Sequence, residues 1–227
     1  MRFFLPLLTL VSAALAAEPN TLTADEQKAG WKLLFDGKSS EGWKGIGKKE
    51  FPAKGWVVEG GALKRATAGG GDIVSTDEYE NFELSWEWKI TPGGNSGLKY
   101  NLPNAAQGVG FEYQMLDDDK NPDGAVPGGS HRTAALYDLI PPPQDKKVQP
   151  IGEWNVSRIV VNGNKVEQWL NGGKTVSFEM GSEELKAIIA KSKFKGVAGF
   201  GMKKKSPILL QDHGAVVEFR SIKLRPL

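Results

Sequence analysis

The sequence contains no cysteine. That excludes disulfides, thiolate metal sites, a cysteine nucleophile and a lipid-modified N-terminal cysteine. It has two histidines, His131 and His213, and neither belongs to a His-x-x-x-His zinc pair. There is no Gly-x-Ser-x-Gly elbow and no phosphate loop. A surplus of either charge is also lacking: 29 Lys and Arg stand against 27 Asp and Glu, a net charge of +2. Nothing there would neutralise a phosphate backbone, so no nucleic acid partner is expected. Long apolar runs are missing after the first segment. What remains for chemistry is carboxylates, amides, two imidazoles and seven Trp, the inventory of a sugar site. Aromatic rings hold the apolar faces of a pyranose, while Asn, Gln, Asp and Glu pair with its hydroxyls.

The first segment reads as a targeting signal. Arg2 precedes an uncharged run from Phe3 to Ala17 that ends in small residues before Glu18. A basic start, a short apolar stretch and a small-residue exit predict a secretory signal peptide over 1–17. The run is 15 residues, short for a membrane span of ~20. The expected product is exported, periplasmic or extracellular, with no membrane insertion after cleavage. The sequence specifies no oligomeric state. Residues 18–227 are expected to form a single domain, long enough to bury a core without covalent staples.

Glycine is abundant, 28 of 227 residues against a usual ~7%, which suggests many tight turns. Phe82, Leu84, Trp86, Trp88 and Ile90 alternate with polar residues, the strongest strand signal in the chain. Trp154–Val161 and Lys165–Leu170 flank an Asn-Gly-Asn turn. A second turn at Asn171-Gly172-Gly173 leads into Thr175–Phe178, which makes a three-stranded meander. Further strands are expected at Trp31–Phe35, Trp56–Glu59, Asp72–Ser75, Gly97–Leu102, Gly110–Leu116, Ile208–Gln211 and Val216–Leu224. In the last, Val217 and Phe219 share one phase and Ile222 and Leu224 the other, which predicts a bulge near Arg220–Ser221. Two short helices are expected. One starts at the capping box Thr23-Ala-Asp-Glu26, the other runs over Glu183–Lys191 after Ser182. These elements predict an all-β, two-sheet antiparallel sandwich of jelly-roll type.

Two segments stand out for chemistry. In Gly110-Phe-Glu-Tyr-Gln-Met-Leu-Asp117, Glu112 and Gln114 face one side of a strand. That side is either a cleft or a solvated face. Asp117 is out of phase and needs a bulge or the strand end to join them. In Leu209-Leu-Gln-Asp-His-Gly214, Gln211 and His213 share a face and Asp212 is placed to orient the imidazole. The alternative is a surface turn. Asn95 and Lys99 flank a Gly-rich turn, with Lys99 either inward or solvated. Trp154, Asn155 and Trp169 lie on the meander, where Trp is usually core.

Nine motifs then occur in an order that resembles the 3-keto-disaccharide hydrolase family. They are Gly30-Trp-Lys-Leu-Leu-Phe-Asp-Gly37, Gly42-Trp43, Trp56-Val-Val-Glu59, Asn95-Ser-Gly97 and Glu112-Tyr-Gln-Met-Leu-Asp117. Leu136-Tyr-Asp-Leu139, Gly152-Glu-Trp-Asn155, Trp169-Leu-Asn-Gly172 and Leu209-Leu-Gln-Asp-His-Gly214 complete the set. The resemblance runs from about Trp31 to Leu227 and implies a concanavalin A-like jelly roll acting on 3-keto-glycosides. A ketone at sugar C3 acidifies the C2 proton. A base removes that proton, the group on C1 leaves by β-elimination, and water can add back. Such a site needs a base near C2, a stabiliser for the enolate and an acid for the leaving oxygen.

The resemblance implies Glu112 and His213 as the acid/base set, Asp117 as a further carboxylate, and Asp212 orienting His213. Asn95, Lys99, Gln114, Tyr137, Trp154, Asn155 and Gln211 would bind sugar. The stabiliser is Lys99, amides or a divalent metal; no other cofactor is implied. Two positions depart from the family pattern: Asn121 and Gln168 stand where it carries His. If those His act as ligands or catalysts, activity would be altered. His131 falls where the pattern often has none, which marks it as incidental. Two other functions use the same inventory. One is a non-catalytic carbohydrate-binding module. The other is a retaining glycosidase, with Glu112 and Asp117 as carboxylates ~5–5.5 Å apart.

Overall fold

The computed structural model describes residues 18–227; the predicted signal peptide lies outside the described residues. Glycine turns and alternating apolar residues resolve into strands β1 (Lys32–Leu33), β2 (Trp43–Gly45), β3 (Trp56–Glu59), β4 (Ala62–Arg65), β5 (Ile73–Ser75), β6 (Phe82–Ile90), β7 (Asn95–Asn104), β8 (Val109–Leu116), β9 (Asn155–Asn162), β10 (Lys165–Leu170), β11 (Gly173–Glu179), β12 (Leu209–Leu210) and β13 (Val217–Pro226). Two helices, α1 (Ala24–Lys28) and α2 (Glu183–Ile189), sit outside the sheets. One sheet has the order β11-β10-β9-β6-β13-β4-β3, with β1 also paired to β13; the other has β2-β5-β12-β7-β8. Neighbours pair antiparallel. The fold is the expected all-β sandwich of concanavalin A-like jelly-roll type.

The alternation in β6 does what its period requires. Phe82, Leu84, Trp86, Trp88 and Ile90 are all buried, and they meet Leu98, Tyr100, Tyr113 and Met115 of the other sheet. Polar pins cross this core. Ser157 donates to the Tyr113 hydroxyl (2.8 Å) and accepts from Trp88 Nε1 (2.8 Å). Gln168 Nε2 donates to the Tyr100 hydroxyl (3.0 Å). The predicted bulge is present: the β13–β6 register shifts between Arg220 and Lys223, and Ser221 has φ 50°.

Both expected helices form. The capping box of α1 is complete: Thr23 Oγ1 accepts from Glu26 N, and Glu26 accepts from Thr23 N. Helix α2 is capped by Ser182 and stops at Ile189, two residues short of expectation. β2 and β4 were not foreseen; Trp43-Lys-Gly45 and Ala62-Leu-Lys-Arg65 show no alternation or β-branched run. The reading of Trp31–Phe35 as a strand shrinks to Lys32–Leu33. Where α1 joins the sandwich, Asn20 straps the bulge. Its backbone N–H donates to Ser221 Oγ, its Oδ1 accepts from Ser221 N, and its Nδ2 donates to Gly61 O.

Candidate active site

β7 and β8 form the floor of the site. Their register sets Lys99 opposite Glu112 and Gly97 opposite Gln114. Since side chains alternate, Asn95, Gly97, Lys99, Glu112 and Gln114 share the face turned away from the core. β12 lies along β7, and Gln211 N donates to Gly97 O (2.9 Å) just beyond it. Gln211 and His213 therefore reach the same face. Seven sequence candidates line one pocket of about 160 Å³: Asn95, Lys99, Glu112, Gln114, Tyr137, Gln211 and His213. Asp123, Lys193 and Phe194 complete the wall. That volume is below the ~300–1,000 Å³ of drug-sized sites and fits a small polar ligand.

Glu112 is nearly enclosed, at 6% exposure. Burial pushes its carboxyl above the ordinary range, opposed by the charges of Lys99, Lys193 and His213. Lys99 Nζ stands 3.5 Å from Glu112 Oε2 and donates to Gly108 O (3.2 Å). Gly97 makes room for this carboxylate, since a Cβ there would come 2.6 Å from Glu112 Oε1. Around it, Asn95 Oδ1, Gln114 Nε2 and Gln211 Oε1 are buried polar atoms with no partner. Buried amides without partners are costly, and three converging on one pocket mark it for a ligand rich in hydroxyl or carbonyl groups.

Four sequence candidates are elsewhere. Asp117 closes the turn after β8: Oδ2 accepts from Gly93 N (2.7 Å), and Oδ1 from Asp119 N (3.2 Å) and Lys120 N (3.1 Å). Burial raises this carboxyl, but the backbone donors outweigh it and its pKa is lowered. Its out-of-phase position becomes the strand end, not a bulge back to Glu112. Asp212 does not hold His213. It accepts from Arg65 Nε (2.6 Å), Gly71 N (3.0 Å) and Gly214 N (3.2 Å). Arg65 also donates to Gly214 O, so this buried pair shapes the turn that presents His213. Trp154 lies on the outer face of the large sheet between Arg220 and Lys89, 4.0 and 4.9 Å from its ring centre. Asn155 is buried and ties Gln149 N (2.9 Å) to Asn171 (2.9 Å).

The two departures from the family pattern fall outside the pocket lining. Asn121 caps a short turn, accepting from Asp123 N (3.1 Å) and donating to Gly93 O (2.8 Å). Gln168 is the inter-sheet pin described above. His131 also lies outside the lining, but it is held by two residues of which one, Asp123, is in it. Its Nδ1 lies 2.8 Å from Asp123 Oδ1 and its Nε2 3.0 Å from Asp138 Oδ1. Asp123 Oδ2 accepts from the Tyr137 hydroxyl (3.1 Å). Sequence reasoning missed Asp123 and Lys193, because Asn-Pro-Asp-Gly reads as a turn and Lys193 as a solvated lysine after α2.

A divalent metal does not fit this donor set. Among the described residues no group of three His, Asp or Glu side chains is arranged to hold a metal ion. Both pocket carboxylates already have partners, Glu112 beside Lys99 and Asp123 under Tyr137 and His131, and two ammonium groups line the same wall.

The chain resembles known proteins over nearly its whole length. A family profile described as a 3-keto-alpha-glucoside-1,2-lyase-like domain matches residues 30–225. A Bacteroides thetaiotaomicron protein named 3-keto-disaccharide hydrolase is 33% identical, over 93% of this chain and 83% of its own. Two crystal structures from Parabacteroides distasonis, both provisionally named glycosyl hydrolases, superpose on it. The first has TM-score 0.83, 35% identity, and coverage of 92% of this chain and 100% of its own. The second has TM-score 0.68, 29% identity, and coverage of 87% and 99%.

Proposed function

The chain belongs to the 3-keto-alpha-glucoside-1,2-lyase-like family and is a glycoside-cleaving enzyme, and on that premise we propose that its pocket cleaves 3-keto-glycosides by β-elimination. The observation that carries this is the convergence of Glu112, on β8, and His213, in the turn after β12, on one pocket with Lys99 and three amides that each leave a buried polar atom unpartnered. In its ionised form Glu112 takes the C2 proton. The C–H electrons form the enolate, whose oxygen is met by Lys99 and by amide N–H groups such as Gln114 Nε2. The enolate then expels the C1 oxygen, which leaves with the bonding pair and takes a proton from His213. Addition of water to the resulting enone gives net hydrolysis. A carboxyl raised by burial suits a base that must work on a weakly acidic C–H.

Asp117, locked in its turn, supports this reading over a retaining glycosidase, which would need it beside Glu112. A binding module built on stacked Trp finds no support either, since the pocket's aromatic side chains are Tyr137 and Phe194. We also propose that residues 1–17 direct export, which N-terminal sequencing of the protein from the extracytoplasmic fraction would check. The deciding assay incubates the enzyme with a 3-keto-glucoside and with the unoxidised glucoside, each with and without chelator. Turnover of the keto sugar alone, unchanged by chelator, is expected. Turnover of both sugars would move the protein to the ordinary glycosidases. Binding without turnover would leave a binding module.

A further inference from the structure

The segment 117–140 contains a chain of hydrogen bonds that the elimination does not use. It runs Asp138, His131, Asp123, Tyr137, and ends at the pocket. An ionised carboxylate only accepts hydrogen bonds. Both imidazole nitrogens of His131 face carboxylate oxygens, at 2.8 and 3.0 Å, so with both carboxylates ionised both nitrogens carry protons and the ring is an imidazolium. With one Asp123 oxygen taken by His131, the other is left to accept the Tyr137 proton at 3.1 Å. The Tyr137 oxygen then has only lone pairs to offer the pocket.

We propose that His131 is a positioning residue of the sugar site: bridging Asp138 and Asp123, it fixes Asp123 as the acceptor of the Tyr137 proton, so that the Tyr137 oxygen receives a substrate hydroxyl. The proposal rests on the reading of the pocket as a sugar site. Several features support it. The His131 and Tyr137 rings lie 4.4 Å apart between centroids. Asp138 adopts φ 61°, a left-handed conformation that aims its carboxylate back at His131, and strain of that kind persists where surroundings hold it. Asp138 Oδ2 also accepts from Lys193 N (2.8 Å), and Lys193 Nζ lies 4.1 Å from the Tyr137 ring centre. The charged groups facing the imidazole are thus Asp123 and Asp138, with Lys193 behind Tyr137 and Glu112 across the pocket. Burial lowers the imidazole pKa, but the bonds to Asp138 and Asp123 outweigh it and the net shift is upward. Burial and then Asp123 raise the Tyr137 phenol, which keeps its proton.

Deprotonation breaks the arrangement, because a bare ring nitrogen would face a carboxylate lone pair. The clamp is therefore complete below the raised His131 pKa, as long as both carboxylates stay ionised, and is lost as pH rises through that pKa. The test measures kcat and KM for the 3-keto-glucoside from pH 5 to 9 in wild type, His131→Gln, Tyr137→Phe and the double variant. Wild-type KM is expected to rise at alkaline pH. Each single variant should hold a KM raised roughly 3- to 10-fold at every pH, the loss of about one hydrogen bond, with kcat nearly unchanged. The double variant should add nothing to either. A wild-type KM in His131→Gln, a loss confined to kcat, or additive effects would each overturn the proposal. If His131→Gln fails to fold, Tyr137→Phe must alone raise KM and flatten its pH dependence, or the proposal fails.

Proton NMR separates this idea from the substrate reading, since the chain has only two histidines and His213→Ala assigns them. His131 should titrate above 6.5 and fall in Asp123→Asn; an ordinary or lower value overturns the clamp whatever the turnover. A wild-type enzyme that cleaves no keto sugar while His131 still titrates high overturns the substrate reading instead. The same variants are then compared by Kd for the unoxidised glucoside, where an unchanged Kd overturns the positioning role.

Discussion

In the proposed elimination the base is Glu112, and its properties come from what surrounds it. Burial raises its carboxyl, while Lys99 pulls it back down. The acid limb of kcat/KM should therefore lie above the ordinary carboxylate range, with activity rising as Glu112 ionises. Lys99→Met should shift that limb further up, read from pH–rate profiles of the two enzymes; a limb that stays put would remove Glu112 as the group titrating there. Glu112→Gln should cut turnover by roughly 10²–10⁴-fold, the scale of a general base. Gly97→Ala should lower kcat by more than tenfold while leaving the melting temperature within a few degrees. The new methyl meets the Glu112 side chain from Cγ to Oε1 rather than backbone, and a misplacement of about 1 Å can cost ~10² in rate. The pairing of Glu112 with Gln114 was legible as a period of two. The fates of Asp117 and Asp212 were not, because a carboxylate at a strand end is claimed by whichever backbone N–H groups the turn brings near.

At the scale of elements, short segments are joined by polar latches whose partners are distant in sequence. Asn20 makes three hydrogen bonds to Ser221 and Gly61. Asn20→Ala should lower unfolding stability by about 1–3 kcal/mol, measured by urea titration, without moving KM. Arg65 and Asp212 are a buried pair with side-chain exposures of 6% and 8%. Arg65→Met strands the Asp212 charge and should cost about 3–5 kcal/mol. Adding Asp212→Leu should recover much of that, and a double variant as unstable as the single would argue against an electrostatic cause. The bulge at Ser221 was legible from the phase conflict in β13 alone. Its strap was not, since nothing in Glu18-Pro19-Asn20 names a partner two hundred residues away. β2 and β4 were missed because sheet pairing stabilises segments, such as Ala62-Leu-Lys-Arg65, that carry no strand pattern of their own.

For the whole molecule, the two sheets are held by a large apolar core with polar pins through it. Tyr113→Phe would take from Ser157 the acceptor of its hydroxyl proton, in a core where water cannot replace it. A loss of about 1–3 kcal/mol is expected, seen as a melting temperature lower by several degrees in calorimetry; an unchanged value would mean the pin carries no net stability. The tryptophans show what the fold did with an ambiguous inventory. Trp43, Trp56, Trp86 and Trp88 are buried. Trp31, Trp154 and Trp169 lie against Arg and Lys side chains on the outer face of the large sheet. None lines the pocket. Residues that suggested sugar stacking lie in the core or on the outer face of the large sheet, and the aromatic rings in the pocket wall are Tyr137 and Phe194.

The sequence by itself determined the sandwich, the capped helices, the bulge and the shared face of Glu112 and Gln114, because each is a local consequence of period, phase or turn chemistry. The absence of cysteine and the near balance of charge had already narrowed the chemistry to carboxylates, amides and imidazoles. Only the tertiary structure decided which of them meet. Register between β7, β8 and β12 gathered Asn95, Lys99, Gln211 and His213 around Glu112. Competing backbone donors withdrew Asp117, and Arg65 withdrew Asp212. His131, incidental in sequence, gained two carboxylates because a loop strained at Asp138 folds back on itself. Partner choice of this kind depends on distances between segments far apart in the chain, and no local pattern encodes it.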